Sequence, residues 1–195
     1  MDEAAKLGAI FARSTALKQR VATEHATTML AMVQMIADCL AAGGKIFFCG
    51  NGGSAADAQH LATELLVRLR GGVERPSWPA IALTLDPAAL SAGGNDYGFE
   101  MVFARPLSGL GRAGDVLVAI TTSGRSPNVV RALETAATLG IGRLGLLGGT
   151  GHPAAGLCEH AIVVPSSETA RVQETHITIG HALLELVEDR LTGRS

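Results

Sequence analysis

Two short runs, Gly50-Asn51-Gly52-Gly53-Ser54 and Thr121-Thr122-Ser123-Gly124-Arg125-Ser126, combine glycine with hydroxyl side chains. Each follows an apolar run, residues 45–49 and 115–120, and each precedes a stretch of helical character. Such a turn offers backbone N–H groups, hydroxyl donors and the positive end of a helix dipole, the combination that holds a phosphate. The second run places four hydroxyls within six residues, followed by Pro127, which suits a first helical turn. Single Ser or Thr caps are ordinary. Four hydroxyls exceed what a cap needs, so Thr121, Thr122, Ser123 and Ser126 read as a cup for a compact dianion. For the first run, a plain glycine turn without ligand stands beside the phosphate reading. A dinucleotide fingerprint stands there too, because Gly50 to Ala55 formally matches GxGxxA. That fingerprint wants an acidic residue about 20 positions on, and Asp86, at the end of the expected second strand, lies well beyond it.

A second set of residues has proton-transfer and ligand chemistry. His60 and Glu64 are four apart, so a helix would present both on one face, with Arg68 continuing the stripe. Gln173 and His181 are eight apart, with Ile177 between them on the same face. A His–Glu pair at helical spacing is a common metal-ligand arrangement, and zinc takes both types. Taken alone, the pair is more often a surface or capping pair than a ligand pair. His25 and His176 have no such context and read as packing or surface residues.

These groups need a scaffold that aims turns and helices at one place. Residues 2–42 carry Ile10, Leu17, Val21, Met29, Met32, Val33 and Ile36 at helical intervals. They read as two helices that break near residues 25–28 and stop at Gly43-Gly44. From Lys45 the pattern alternates. Strands are expected at 45–49, 80–84, 115–120, 143–147 and 161–164, with helices near 54–69, 87–93, 98–110, 127–139 and 168–191. Short apolar strands alternating with helices imply an α/β fold, a doubly wound five-stranded parallel sheet flanked by helices. Ligands of such sheets sit beyond the carboxyl ends of the strands, where both turns fall.

Bulk properties narrow the function. With 195 residues the chain suits one domain, 1–195, made of an N-terminal helical segment (1–43) and an α/β core (44–195). Hydrophobic residues make up 47%, as a sheet covered on both faces requires. The net charge is −2 and the 16 Lys and Arg are scattered, which argues against a nucleic-acid surface. Cys39, Cys49 and Cys158 are odd in number and widely spaced, as expected of reduced thiols in a cytosolic protein. No stretch approaches the about 18 apolar residues of a membrane span, and the N-terminus lacks the pattern of a secretory signal. A soluble, cytoplasmic protein is expected.

Residues 49–60, Gly94-Asn95-Asp96-Tyr97-Gly98, Thr122-Ser123-Gly124-Arg125-Ser126 and Arg171-Val172-Gln173-Glu174-Thr175-His176 together closely resemble the phosphoheptose isomerases. These are sugar-isomerase (SIS) domain proteins that convert sedoheptulose 7-phosphate to D-glycero-D-manno-heptose 7-phosphate. The similarity runs in order through nearly the whole chain. It implies a phosphate held by Ser54, Thr121, Thr122, Ser123 and Ser126. It implies substrate contacts from Asn51, Gly52, Gly53, Arg68, Asn95, Asp96 and Gln173. His60, Glu64, Gln173 and His181 become ligands of one zinc ion per subunit, with Glu64 and His181 also the acid/base pair. The family is typically a homotetramer whose sites combine residues of neighbouring subunits, which would employ the long N-terminal helices. Thr121 stands where many relatives have serine, and Arg125 where relatives often have Asn or Lys. A non-catalytic relative, the replication-initiator-associating SIS protein, keeps the glycine turn but lacks the Glu and the final His. This chain has both, which favours an enzyme over an adaptor or a sugar-phosphate sensor.

Overall fold

Asp2 opens the first helix, its carboxylate accepting the Ala4 N–H at 2.7 Å. The computed structural model describes residues 2–194; Met1 and Ser195, the two ends of the expected domain, lie outside the described residues. Helix α1 (Glu3–Glu24) breaks at His25, whose φ of −117° and ψ of 13° leave the helical region, and α2 (Ala26–Ala41) follows. Gly43, at φ 80°, then turns the chain into the sheet.

The core continues through β1 (Ile46–Gly50), α3 (Gly53–Leu66), β2 (Ala80–Ala82) and α4 (Pro87–Tyr97). It proceeds through α5 (Ala104–Leu110), β3 (Val116–Thr121), α6 (Pro127–Leu139), β4 (Gly142–Leu147), β5 (His160–Val163) and α7 (Thr169–Thr192). The five strands are parallel in the order β2-β1-β3-β4-β5. This is the expected doubly wound α/β sheet. The winding direction reverses between β1 and β3, where Gly50 pairs in register with Ile120. Both glycine- and hydroxyl-rich turns therefore leave the sheet side by side, at its switch point.

Alternating strand residues divide the core into two layers. Ile46, Phe48, Val116, Val118 and Ile120 pack with α2, α3 and α7. Phe47, Cys49, Leu117 and Ala119 pack with α5 and α6. The central strands β1 and β3 are buried on both faces, so they read as continuous apolar runs. The three cysteines are free; burial pushes the Cys39 thiol up to about 11 and the Cys49 thiol up to about 12, leaving them protonated and inert. Among the described residues, no helix is long and apolar enough to cross a membrane.

The second strand ends at Ala82 rather than 84, and three helices differ from expectation by more than one residue. Gly93 and Gly94 do not stop α4, because neither needs a positive φ; the stop comes at Gly98, with φ 84°. The expected helix over 98–110 is consequently two pieces, a short 3₁₀ turn (Phe99–Met101) and α5. Helix α3 ends at Leu66, short of residue 69, so Arg68 lies past it and the expected His60–Glu64–Arg68 stripe loses its last member.

Candidate active site

Helices α3 and α7 cross closely at Gly180. A Cβ there would lie 2.7 Å from both methyl groups of the buried Leu61, so any other residue would have to displace Leu61 or part the helices. The neighbours of that contact meet across it. His60 and His181 bring their Nε2 atoms to 2.8 Å, with the rings almost perpendicular at 83°. Glu64 Oε1 lies 3.3 Å from the same His60 nitrogen. One ligating atom from each of the three falls within 4.8 Å of the others. The other Glu64 oxygen, Oε2, is buried with no hydrogen-bond partner. A buried, half-partnered carboxylate beside two imidazole nitrogens suits a cation, and two imidazoles with one carboxylate is a known zinc donor set. One turn earlier on α3, Asp57 Oδ2 is likewise buried without a partner; burial raises the Asp57 carboxyl, while the neighbouring His60 pulls it down.

Gln173 approaches α3 at its other end. A Cβ on Gly53 would sit 2.1 Å from the Gln173 Nε2, so the glycine makes room for this carboxamide over the first turn. Gln173 thus meets the glycine turn, while His60, Glu64 and His181 gather further along the same helix.

Across the switch point, Thr121 ends β3 and its Oγ1 lies 3.0 Å from Ser126 Oγ and 3.3 Å from Ser123 Oγ. The Arg125 N–H donates to Ser123 Oγ at 3.2 Å. Ser126 occupies the cap position of α6 without using its hydroxyl as a cap, and Thr122 is half-buried in the same turn. Gly124, at φ 68°, packs so tightly on Gly151 that a Cβ would come 2.4 Å from its carbonyl carbon. Three hydroxyls therefore cluster over a helix N-terminus, the arrangement that receives a phosphate.

The SIS domain family matches residues 10–148. The phosphoheptose isomerase of Pelodictyon phaeoclathratiforme is 53% identical over 91% of this chain and 85% of its own length. The chain belongs to the phosphoheptose isomerases of the SIS-domain family. Two solved structures are similar throughout. The phosphoheptose isomerase GmhA of Neisseria gonorrhoeae has a TM-score of 0.89 at 40% identity, covering 96% of this chain and all (100%) of that one. A phosphoheptose isomerase from Francisella tularensis has a TM-score of 0.91 at 36% identity, covering 97% and 100%. Membership makes this chain an isomerase of a heptose phosphate, and an enzyme rather than an adaptor.

The remaining residues expected at the site of this isomerase are more dispersed. Ser54 sits in the first turn of α3 and is 3% exposed, its N–H donating to the Asn51 carbonyl. Gly52, at φ 57°, forms the turn before it. Asn95 and Asp96 are exposed in the last turn of α4 and hydrogen-bonded to each other at 2.7 Å. Arg68 forms an exposed ion pair with Glu74 at 3.8 Å.

Sequence reasoning passed over three contributors. Asn128 is buried and exchanges two amide hydrogen bonds with Asn51, each 2.8 Å, joining the two turns directly. Phe99 and Glu100 line a cleft of 460 Å³ with Asn51, Ser126 and Asn128. Asn128 carried a readable signal, a polar residue in an otherwise apolar helical start. The 3₁₀ turn bearing Phe99 and Glu100 carried none, being absorbed into a longer helical pattern.

Proposed function

We propose that this isomerase converts sedoheptulose 7-phosphate to D-glycero-D-manno-heptose 7-phosphate through an enediol, a step of heptose biosynthesis. The observation that carries this reading is the meeting of Glu64, His60 and His181 across the α3–α7 crossing, with the hydroxyl cup beyond β3. Moving a proton from C1 to C2 requires a base able to reach both carbons and an acid that serves both oxygens. Glu64 and His181 are proposed as that pair, positioned groups of this kind each contributing about 10²-fold or more. Thr121, Thr122, Ser123, Ser126 and Ser54 are proposed to hold the phosphate, fixing the far end of the sugar so that C1 and C2 meet the pair. Asn51, Gly52, Gly53, Arg68, Asn95, Asp96 and Gln173 are proposed as further substrate contacts.

One zinc ion per subunit would be held by His60, Glu64, Gln173 and His181. When bound, it would supply Lewis acidity toward the carbonyl oxygen. The enzyme is read as a cytoplasmic homotetramer; exposed Leu7, Ile10 and Phe11 on α1 support self-association.

An NMR time course with sedoheptulose 7-phosphate, with and without chelator, tests the reading. The ketose signals should give way to those of the heptose, and chelation should slow the change until zinc is restored. Glu64→Gln and His181→Gln should each abolish turnover while leaving sugar-phosphate binding largely intact. Full activity in either variant removes that residue from the pair.

A further inference from the structure

We propose that Arg75 and Glu188 are positioning residues for this site, a strap joining the backbone of Glu64 to the helix that carries His181. The inference rests on the isomerase reading of Glu64 and His181 and goes beyond it. It starts from the C-terminal end of α3, where the last carbonyls of any helix lack partners within the helix. Here each has one. The Thr63 carbonyl accepts from the Val67 N–H at 2.8 Å. The Leu66 carbonyl accepts from Ser77 Oγ at 2.6 Å. The two between them, Glu64 and Leu65, accept from Arg75 Nη2 and Nη1 at 2.5 and 2.9 Å, and Leu65 accepts a second bond from the Trp78 N–H at 3.1 Å.

The same guanidinium reaches the other way. Arg75 Nε donates to Glu188 Oε1 at 2.8 Å, and Glu188 Oε2 accepts from Arg70 Nε at 2.6 Å. The Arg75 and Glu188 side chains are only 2% and 1% exposed, and the guanidinium lies 4.0 Å from the centre of the Trp78 ring. Glu188 follows His181 by seven residues, two turns along one face of α7. A single planar group is thus hydrogen-bonded to the main chain of Glu64 and to the α7 face that bears His181.

Charge alone does not explain this arrangement. A buried ion pair is seldom worth more than well-packed apolar residues in its place. What the pair supplies is direction: a rigid fork whose donors fix the last turn of α3 against α7. Lysine has no such fork and cannot serve two carbonyls and a carboxylate in one plane. Loss of the strap should let the last turn of α3 shift, moving the Glu64 carboxylate away from His60 and His181. The strap holds the last turn of α3, while Ser54 lies in its first turn and the other hydroxyls lie on β3 and the turn before α6, so phosphate binding should change little.

The experiment compares wild type, Arg75→Lys and the double variant Arg75→Met/Glu188→Leu, which removes both charges of the pair and leaves Arg70 its ion pairs with Asp189 and Glu185. Histidine-ring NMR of the chelator-treated protein reports the His60–His181 contact independently of turnover. We expect the ring signals of His60 and His181 to shift in both variants while that of His160 on β5 stays in place. The kcat on sedoheptulose 7-phosphate should fall by about 10-fold to 100-fold, the usual effect of removing support behind functional side chains, with KM nearly unchanged. Arg75→Lys should recover folding stability but little of the kcat. Unchanged ring signals and unchanged kcat in a folded double variant overturn the proposal. If the wild-type enzyme does not convert the ketose, the functional reading fails, and the ring signals alone decide the positioning claim.

Discussion

Thr121, Ser123 and Ser126 show how much three hydroxyls achieve when a strand ends and a helix begins within a few residues. Their oxygens lie 3.0 to 3.3 Å from Thr121 Oγ1, close enough to converge on one anion. If Ser123 holds the phosphate equally in ground and transition states, Ser123→Ala should raise KM while leaving kcat nearly unchanged. Steady-state kinetics decides it; a lower kcat at constant KM would assign Ser123 to the chemical step instead. This cluster was legible in the sequence because its members are neighbours in the chain. The Asn51–Asn128 pair was not, since its partners are 77 residues apart and neither residue type requires the other. Arg68 failed in the opposite way. Helical spacing aligned it with Glu64, but periodicity cannot say where a helix stops, and the stop depends on residues 75–78 folding back over the last carbonyls.

Among the elements, the α3–α7 crossing decides the geometry of the site. Replacing glycine by alanine inside a helix ordinarily stabilises by about 0.5–1 kcal/mol. At Gly180 the sign should reverse, because the new methyl would meet both Leu61 methyls at 2.7 Å and Leu61 is buried. Overpacking of this kind costs about 1–3 kcal/mol. Gly180→Ala should therefore lower the urea midpoint and reduce kcat by drawing His60 and His181 apart; equal or greater stability would show that the helices absorb the methyl. The helical spacings of His60 with Glu64 and of Gln173 with His181 were readable as faces. Which faces meet was not, because a crossing depends on a small residue whose partner lies on another helix. Gly180 drew no notice for that reason. Gly93 and Gly94 misled in turn, being glycines that a helix accommodates.

At the scale of the whole molecule, alternating apolar strands and helices implied a doubly wound parallel sheet, which the structure has; the strand order, with its switch point between β1 and β3, was not legible, because alternation does not say which strands lie side by side. The pH response of the assembled fold has a source that spacing could not reveal. His176 is buried, and its Nε2–H donates to the Leu147 carbonyl at 3.0 Å while Nδ1 has no partner. Burial lowers its pKa from 6.5 to about 4, so the folded state holds the ring neutral. The unfolded chain binds a proton first as pH falls. The stabilisation is complete above the unfolded value and is lost progressively between about pH 6.5 and 4, by on the order of 3 kcal/mol in all. The urea midpoint of wild type should fall between pH 7 and pH 5 by more than that of His176→Gln, which keeps a donor for Leu147. Parallel pH profiles would trace the loss to other groups.

The reciprocal amide pair between Asn51 and Asn128 sets how the ligand crevice responds to its surroundings. Carboxamides neither titrate in the physiological range nor gather counterions. A bridge made of them keeps its length in dilute buffer and in brine, in mild acid and in mild alkali. The spacing of the two turns it couples should therefore depend little on salt or on pH within that range. Salt or proton dependence in ligand capture should then trace to the incoming anion and to the charged groups proposed to meet the substrate, Arg68, Asp96, His60, Glu64 and His181, rather than to this bridge.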